Sequence, residues 1–173
     1  MTDPTRRLTG QAIIEGVHAG GIEYILSVPD ITTSEGLLFP LANDRRFKLV
    51  RVCKEDEAVG IAAGLACRDK RALILIQHTG FLDSINAVRA VAVEYGLPIC
   101  MMIGLLNKEP DVAPQQSKVY GVRIPEPILD AMGIKRDLID TDADIARVAP
   151  AIDAAYAQSK PLAMLIGRSP AAP

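Results

Sequence analysis

Six consecutive residues, Ala72 to Gln77 (ALILIQ), do most to limit what this chain can fold into. A strand with one face in water alternates apolar and polar side chains, and this one does not alternate. Such a run belongs to a strand covered on both faces, which is the habit of parallel sheets. Parallel neighbours need crossover connections long enough to hold a helix. The rest of the chain supplies both parts. Short apolar runs at 24–28, 47–53, 98–103, 137–140 and 162–166 read as further strands. Between them lie stretches of helical spacing: 10–19 with Ile13, Ile14 and Val17 on one side, a stretch opened by Ser34 with Leu37, Leu38 and Leu41, then 56–68, 84–94, 126–132 and 141–158.

Local signals mark the ends. Thr9 is the expected cap of the first helix, and Gly20 and Gly21 its left-handed stop. Pro40 is expected to kink the second helical stretch or mark its first turn. Gly96 and Gly133 close two later helices, and Thr141 caps the last. From 105 to 125 periodicity disappears, with Pro110, Pro114, Gln115, Gln116 and Gly121 in the gap. A loop of that length is a functional or mobile segment, or a plain surface excursion. Strands alternating with helices predict a three-layer α/β/α fold around a mostly parallel six-stranded sheet, forming one domain over 1–173.

The chain has 173 residues, enough to bury a sizeable core, and contains no Trp, so Ala, Leu, Ile and Val must fill it. A formal charge of −2 gives no electrostatic case for nucleic acid or an anionic membrane. No apolar run reaches bilayer length, and the opening MTDPTRR lacks the apolar segment of a signal peptide. Cys53, Cys67 and Cys100 lack metal-ligand spacing and are expected to be reduced core thiols of a cytoplasmic protein.

Two strand-to-helix junctions carry ionisable residues. Glu55, Asp56 and Glu57 precede the third helix, where negative charge complements the dipole. That helix is built of Ala58, Gly60, Ala62, Ala63, Gly64 and Ala66. A glycine inside a helix costs about 1 kcal/mol relative to alanine. Gly60 and Gly64, four apart, therefore point to close approach by another helix, a subunit or a ligand, or to tight packing on the helix's own sheet. His78 follows the ALILIQ strand in a loop reading HTG, with Gly80 permitting a tight turn. The loop matches neither the dinucleotide-binding nor the Walker pattern, so it gives little reason to expect bound phosphate. A histidine there is either structural or catalytic.

In order, ILSVPD, EDEAVGIAAGLA, QHTGFLDSIN, LPICMMIG and KPLAMLIG resemble the pyrimidine-binding domain of thiamine-diphosphate-dependent enzymes. The pattern is nearest to the α subunit of sulfopyruvate decarboxylase and the matching half of phosphonopyruvate decarboxylase. The resemblance implies that Glu55, nine residues before Gly64, is the glutamate that hydrogen-bonds the cofactor's aminopyrimidine. Such a residue must hold a proton near neutral pH, and burial beside small apolar residues pushes a carboxyl group that way. It implies a catalytic role for His78, substrate contacts from Asp30, His78 and Thr79, and cofactor contacts from Thr79, Gly80 and Asn86. Leu82 and Asp83 depart from the family's loop, Asp83 being unfavourable beside a sulfonate or phosphonate, and Lys54 stands where many relatives have histidine.

No G-D-G motif followed by asparagine occurs in the chain. The resemblance therefore implies that the diphosphate and Mg²⁺ are held by a partner β subunit carrying that motif, in a hetero-oligomer acting on a small 2-oxo acid. Its alternatives are a carboligase subunit like that of acetolactate synthase and a non-catalytic regulatory or interaction subunit. An unrelated ligand-binding α/β domain is the reading outside the family.

Overall fold

A computed structural model describes residues 7–172. Most of the opening MTDPTRR, where no signal peptide was expected, lies outside the described residues. The elements run α1 (Gly10–Ala19), β1 (Tyr24–Ser27), a π-helical turn (Ser34–Leu38) leading into α2 (Phe39–Asn43), β2 (Lys48–Arg51), α3 (Glu55–Ala66) and β3 (Ala72–Gln77). Next come α4 (His78–Asp83), α5 (Ile85–Ala87) continued by a π-helical stretch (Val88–Glu94), β4 (Cys100–Gly104) and a 3-10 turn (Pro114–Gln116). Then follow α6 (Tyr120–Arg123), α7 (Pro125–Ala131), β5 (Lys135–Ile139), a 3-10 stretch (Asp142–Arg147), α8 (Val148–Gln158) and β6 (Leu162–Ile166). No helix among the described residues is long and apolar enough to cross a membrane.

All six strands are parallel, in the order β2-β1-β3-β4-β6-β5. The expected three-layer architecture is what forms, and ALILIQ shows why. Leu73 and Leu75 pack with α1, the π turn, α2 and α8 on one face of the sheet. Ala72, Ile74 and Ile76 pack with α3, α4, α5, α6 and α7 on the other. The chain leaves β1 toward β2 on one side and then crosses to β3 on the other. The sheet therefore reverses direction between β1 and β3, where open parallel sheets bind ligands beyond their carboxyl ends.

Several ends differ from expectation. Thr9 does not cap α1; its hydroxyl and amide both donate to Asp142, at 2.8 and 2.6 Å, tying the start of α1 to the segment after β5. The left-handed stop belongs to Gly21 (φ 71°), while Gly20 has φ −74°. Pro40 falls in the first turn of α2, directly after the π turn. Thr141 acts as part of a capping box in which the Asp144 carboxylate accepts from the Thr141 amide at 2.9 Å.

The chain's far ends meet. The Ala171 amide donates to Leu8 O (2.8 Å) and the Gly10 amide to Ala171 O (3.0 Å). A Cβ on Gly36 would lie 2.2 Å from Pro170 O, and one on Gly10 would lie 2.0 Å from Gly36 O, so three backbones touch here.

The expectation for the cysteines is corrected. Cys100 is buried in β4, and burial pushes its thiol up to about 12. Cys53 and Cys67 are exposed, because they flank α3 at its two solvent-facing ends rather than lying in the strand or the core.

Candidate active site

His78 opens α4 directly from β3, so the expected HTG loop is instead the first turn of a helix. Gly80 accordingly sits inside that turn, and what it provides is space. A Cβ there would fall 2.1 Å from Glu55 Oε1 and 2.3 Å from Glu55 Cδ. The Glu55 carboxylate thus rests on the backbone of α4, in a gap that any other residue would fill. Glu55 is the first residue of α3 and is half-buried.

Its acidic neighbours do different work. The Glu57 carboxylate accepts from the Cys53 and Lys54 amides at 2.9 and 3.2 Å, closing the amino end of α3. Lys54 Nζ lies 3.8 Å from Asp56 Oδ2 and 3.5 Å from Asp83 Oδ2. Both carboxylates, Asp56 first, raise the Lys54 pKa. The negative charge of Asp83 is in this way partly offset by Lys54.

His78 is 4% exposed. The Leu106 amide donates to its Nδ1 at 3.3 Å, and the Gly104 carbonyl stands 3.3 Å from the same nitrogen. Burial is the main influence on the ring and lowers its pKa, with the Gly104 carbonyl and Asp30 acting the other way. The other nitrogen, Nε2, lies 2.7 Å from where a Cβ on Gly121 would be. Gly121 belongs to α6, so the aperiodic segment after β4 folds back over the histidine.

Asp30 ends the turn after β1 and is 8% exposed. Its Oδ1 accepts from the Thr32 and Thr33 amides at 2.6 and 3.0 Å, and its Oδ2 accepts from the Thr33 hydroxyl. This turn meets β4: a Cβ on Gly104 would fall 2.9 Å from Thr32 Cβ and 3.2 Å from Asp30 Oδ1.

Two groupings therefore stand at the carboxyl edge of the sheet. Asp30 and His78 converge on Gly104 beside the switch point, and Glu55 with Gly80 lies where α3 meets α4. Thr79 is exposed, its hydroxyl donating to Gln77 Oε1 at 2.8 Å. Asn86 is exposed on α5 and accepts from Arg89 at 3.0 Å, so it joins neither grouping.

Sequence reasoning missed Gly104 and Thr32 and did not tie Gly121 to the histidine. The one available signal was a glycine placed directly after a buried strand. It also missed an ion cluster at the β4-β6-β5 edge. The Lys108 side chain is 1% exposed, its Nζ 3.4 Å from Asp140 Oδ1. Arg168 meets Asp140 Oδ2 at 2.8 Å. No group of three or more His, Cys, Asp or Glu among the described residues could hold a metal ion.

Gly60 and Gly64 turn away from the sheet, and a Cβ at either would meet nothing within 4 Å. That rules out tight packing of these glycines on their own sheet.

No family model matches the chain. Over 95 residues it is 30% identical to sulfopyruvate decarboxylase subunit alpha of Methanothermobacter thermautotrophicus, covering 55% of this chain and 57% of that protein. The subunit of the same name from Methanocaldococcus jannaschii is 30% identical over 92 residues, covering 53% of this chain and 54% of the relative. That of Methanococcus maripaludis is 26% identical over 93 residues, covering 54% and 55%. The chain spans about half the length of the curated relatives it matches. The resemblance carried by its motifs is thus also found by comparison: the chain is similar to the alpha subunits of sulfopyruvate decarboxylases.

Proposed function

We propose that this chain is the pyrimidine-binding subunit of a two-subunit, thiamine-diphosphate-dependent decarboxylase of a small 2-oxo acid, with Glu55 activating the cofactor. The observation that carries the reading is the seat of Glu55. Its carboxylate occupies a gap left by Gly80 at the carboxyl edge of the sheet. It does so in a chain similar to sulfopyruvate decarboxylase alpha subunits.

The seat fits one side of an aminopyrimidine ring. A half-buried carboxyl group, held on backbone and still open on one side, can exchange a proton with a ring nitrogen. Bound there, thiamine diphosphate supplies the ylid and the electron sink for loss of carbon dioxide. The chain's own residues place and protonate. Glu55 exchanges the proton, and Gly80 keeps its carboxylate in register with α4. His78, its ring neutral, is the residue assigned to the 2-oxo acid, and Asp30 shapes the turn beside it. Thr79 lines the exposed rim, with Asn86 further along α5.

The diphosphate and Mg²⁺ are assigned to a partner β subunit, since oxygen-rich ligands of the G-D-G type are what Mg²⁺ takes. The open face at Gly60 and Gly64 supports this assembly, because two helix-interior glycines that the chain itself does not need suit close approach by another subunit. The test is to express this chain by itself and together with a partner carrying the motif. Sulfopyruvate and pyruvate are then supplied with thiamine diphosphate and Mg²⁺, and carbon dioxide and any coupled products are measured. Activity only in the mixture is expected. Full activity of this chain by itself overturns the two-subunit reading, and carboligation products without net aldehyde replace decarboxylation by carboligation.

A further inference from the structure

Three helical stretches end together at the amino edge of the sheet, opposite the candidate active site. Val88–Glu94, α7 and α8 each close in the same way. The Leu97, Ile134 and Lys160 amides donate back to the Ala92, Leu129 and Ala155 carbonyls at 3.0, 2.9 and 3.0 Å. The turns are made by left-handed residues: Gly96 (φ 63°), Gly133 (φ 67°) and Ser159 (φ 52°). The Ser159 hydroxyl donates to Gly96 O at 2.7 Å and braces two of these ends.

Between them lies a cavity of about 600 Å³, a size typical of small-molecule sites. It stays open because α8 presents only Ala151, Ala154 and Ala155 to it, and a Cβ on Gly133 would meet nothing within 4 Å. Met132, Ile134 and Leu162 complete an apolar wall. β5 and β6 begin here, so a strand's length of roughly 17 Å separates the cavity from the carboxyl edge.

Its charge is specific. Lys135 and Lys160 line the cavity, and neither ammonium has a hydrogen-bond or ion-pair partner among the described residues. They are not consumed in capping, since the backbone bonds above already engage carbonyls of all three helix ends. The lining carboxylate of Asp130 is held by Arg136 at 2.7 and 3.0 Å. Two free ammonium groups disfavour a cation. Three helix carboxyl ends, each partly negative, disfavour an anion of several charges. One negative charge on an apolar body fits both.

We propose that this cavity binds a small amphipathic monoanion, an aliphatic carboxylate whose chain lies on the apolar wall and whose head is held by Lys135 and Lys160. The site is independent of the decarboxylase reading, because it shares no residue with the carboxyl edge.

The experiment titrates the full chain with octanoate by calorimetry, beside octanol, which lacks the charge, and inorganic phosphate, which lacks the chain. One equivalent of octanoate is expected to bind with a Kd below about 1 mM. The double variant Lys135→Ala, Lys160→Ala should weaken octanoate roughly three- to tenfold and leave octanol unchanged. Ala154→Phe, which fills the half-exposed side of the cavity, should abolish binding of both. Should that variant fail to fold, the exposed lysine pair still decides. Absence of saturable octanoate binding overturns the proposal. Unchanged affinity in the lysine variant overturns the assignment of the head, and unchanged affinity in a folded Ala154→Phe overturns the location. Phosphate binding as tightly as octanoate overturns the amphipathic class.

Discussion

Replacing Gly80 by alanine separates the two things this glycine does. The added methyl carbon would fall 2.1 Å from Glu55 Oε1 and 2.4 Å from Glu55 Cγ. Non-bonded carbon contacts settle near 3.5–4.0 Å, so the end of Glu55 must swing away by roughly 1 Å or more. That motion costs the fold little, because the obstacle is the far end of a half-exposed side chain rather than backbone. Alanine inside a helix is also worth about 1 kcal/mol more than glycine. Gly80→Ala is therefore expected to melt at or slightly above the wild-type temperature, by about 2–4 °C if the full propensity gain is realised. Activity should move the other way, since a misplacement of about 1 Å at a catalytic group costs on the order of 100-fold. The assays are thermal unfolding of the full chain and decarboxylation by the assembly with its partner. Retained activity would refute the idea that the seat of Glu55 matters, and a clear loss of stability would show that the contact at Gly80 is part of the packing.

Glu55→Gln should cut turnover by orders of magnitude with the fold intact, whereas Glu57→Gln should be mild, because an amide oxygen still accepts from the Cys53 and Lys54 amides; comparable losses from both refute the assignment. The buried His78 ring has a folded pKa below the ordinary 6.5, so the unfolded chain takes up a proton first as pH falls. Stability from this residue is full above about 6.5 and declines below it; His78→Gln should flatten that decline in urea titrations at pH 7.5 and 5.5 (roughly a unit either side), and an unchanged slope refutes it. A colorimetric thiol reagent should modify Cys53 and Cys67 in the native chain, with Cys100 reacting only after unfolding; three native thiols would contradict the burial of Cys100.

The fold was legible because its signals are local and repeated. ALILIQ and LAMLI could only be buried strands, and their observed bounds, Ala72–Gln77 and Leu162–Ile166, are those read from the sequence. The end of β3 was harder. His78 and Thr79 have no strong helix signal, and the contacts made in that turn, His78 with Gly121 and Gly80 with Glu55, join residues far apart in sequence. Glu55 was singled out by its spacing to Gly64, but its seat against Gly80 was not legible, because only the packing of α3 on α4 brings the two together. The convergence of Asp30, Thr32, Gly104 and His78 was not, because it joins three strand ends that lie far apart in sequence and are brought together only by the sheet order. Thr32 and Thr33 read identically in sequence, and only their hydrogen bonds distinguish them.

The clasp at Pro170 and Ala171 has a consequence for synthesis. β6 is made after β5 yet lies between β4 and β5, so β5 has no strand neighbour, and β4 has only β3, until residue 162 and beyond have left the ribosome. The start of α1 is completed only when Ala171 reaches it. At the usual 5–20 residues per second, the segment from Gly10 onward waits on the order of ten to thirty seconds for its last contact. During that interval the apolar faces of β4 and α1 are open, and this is when a holdase chaperone has most of this chain to hold.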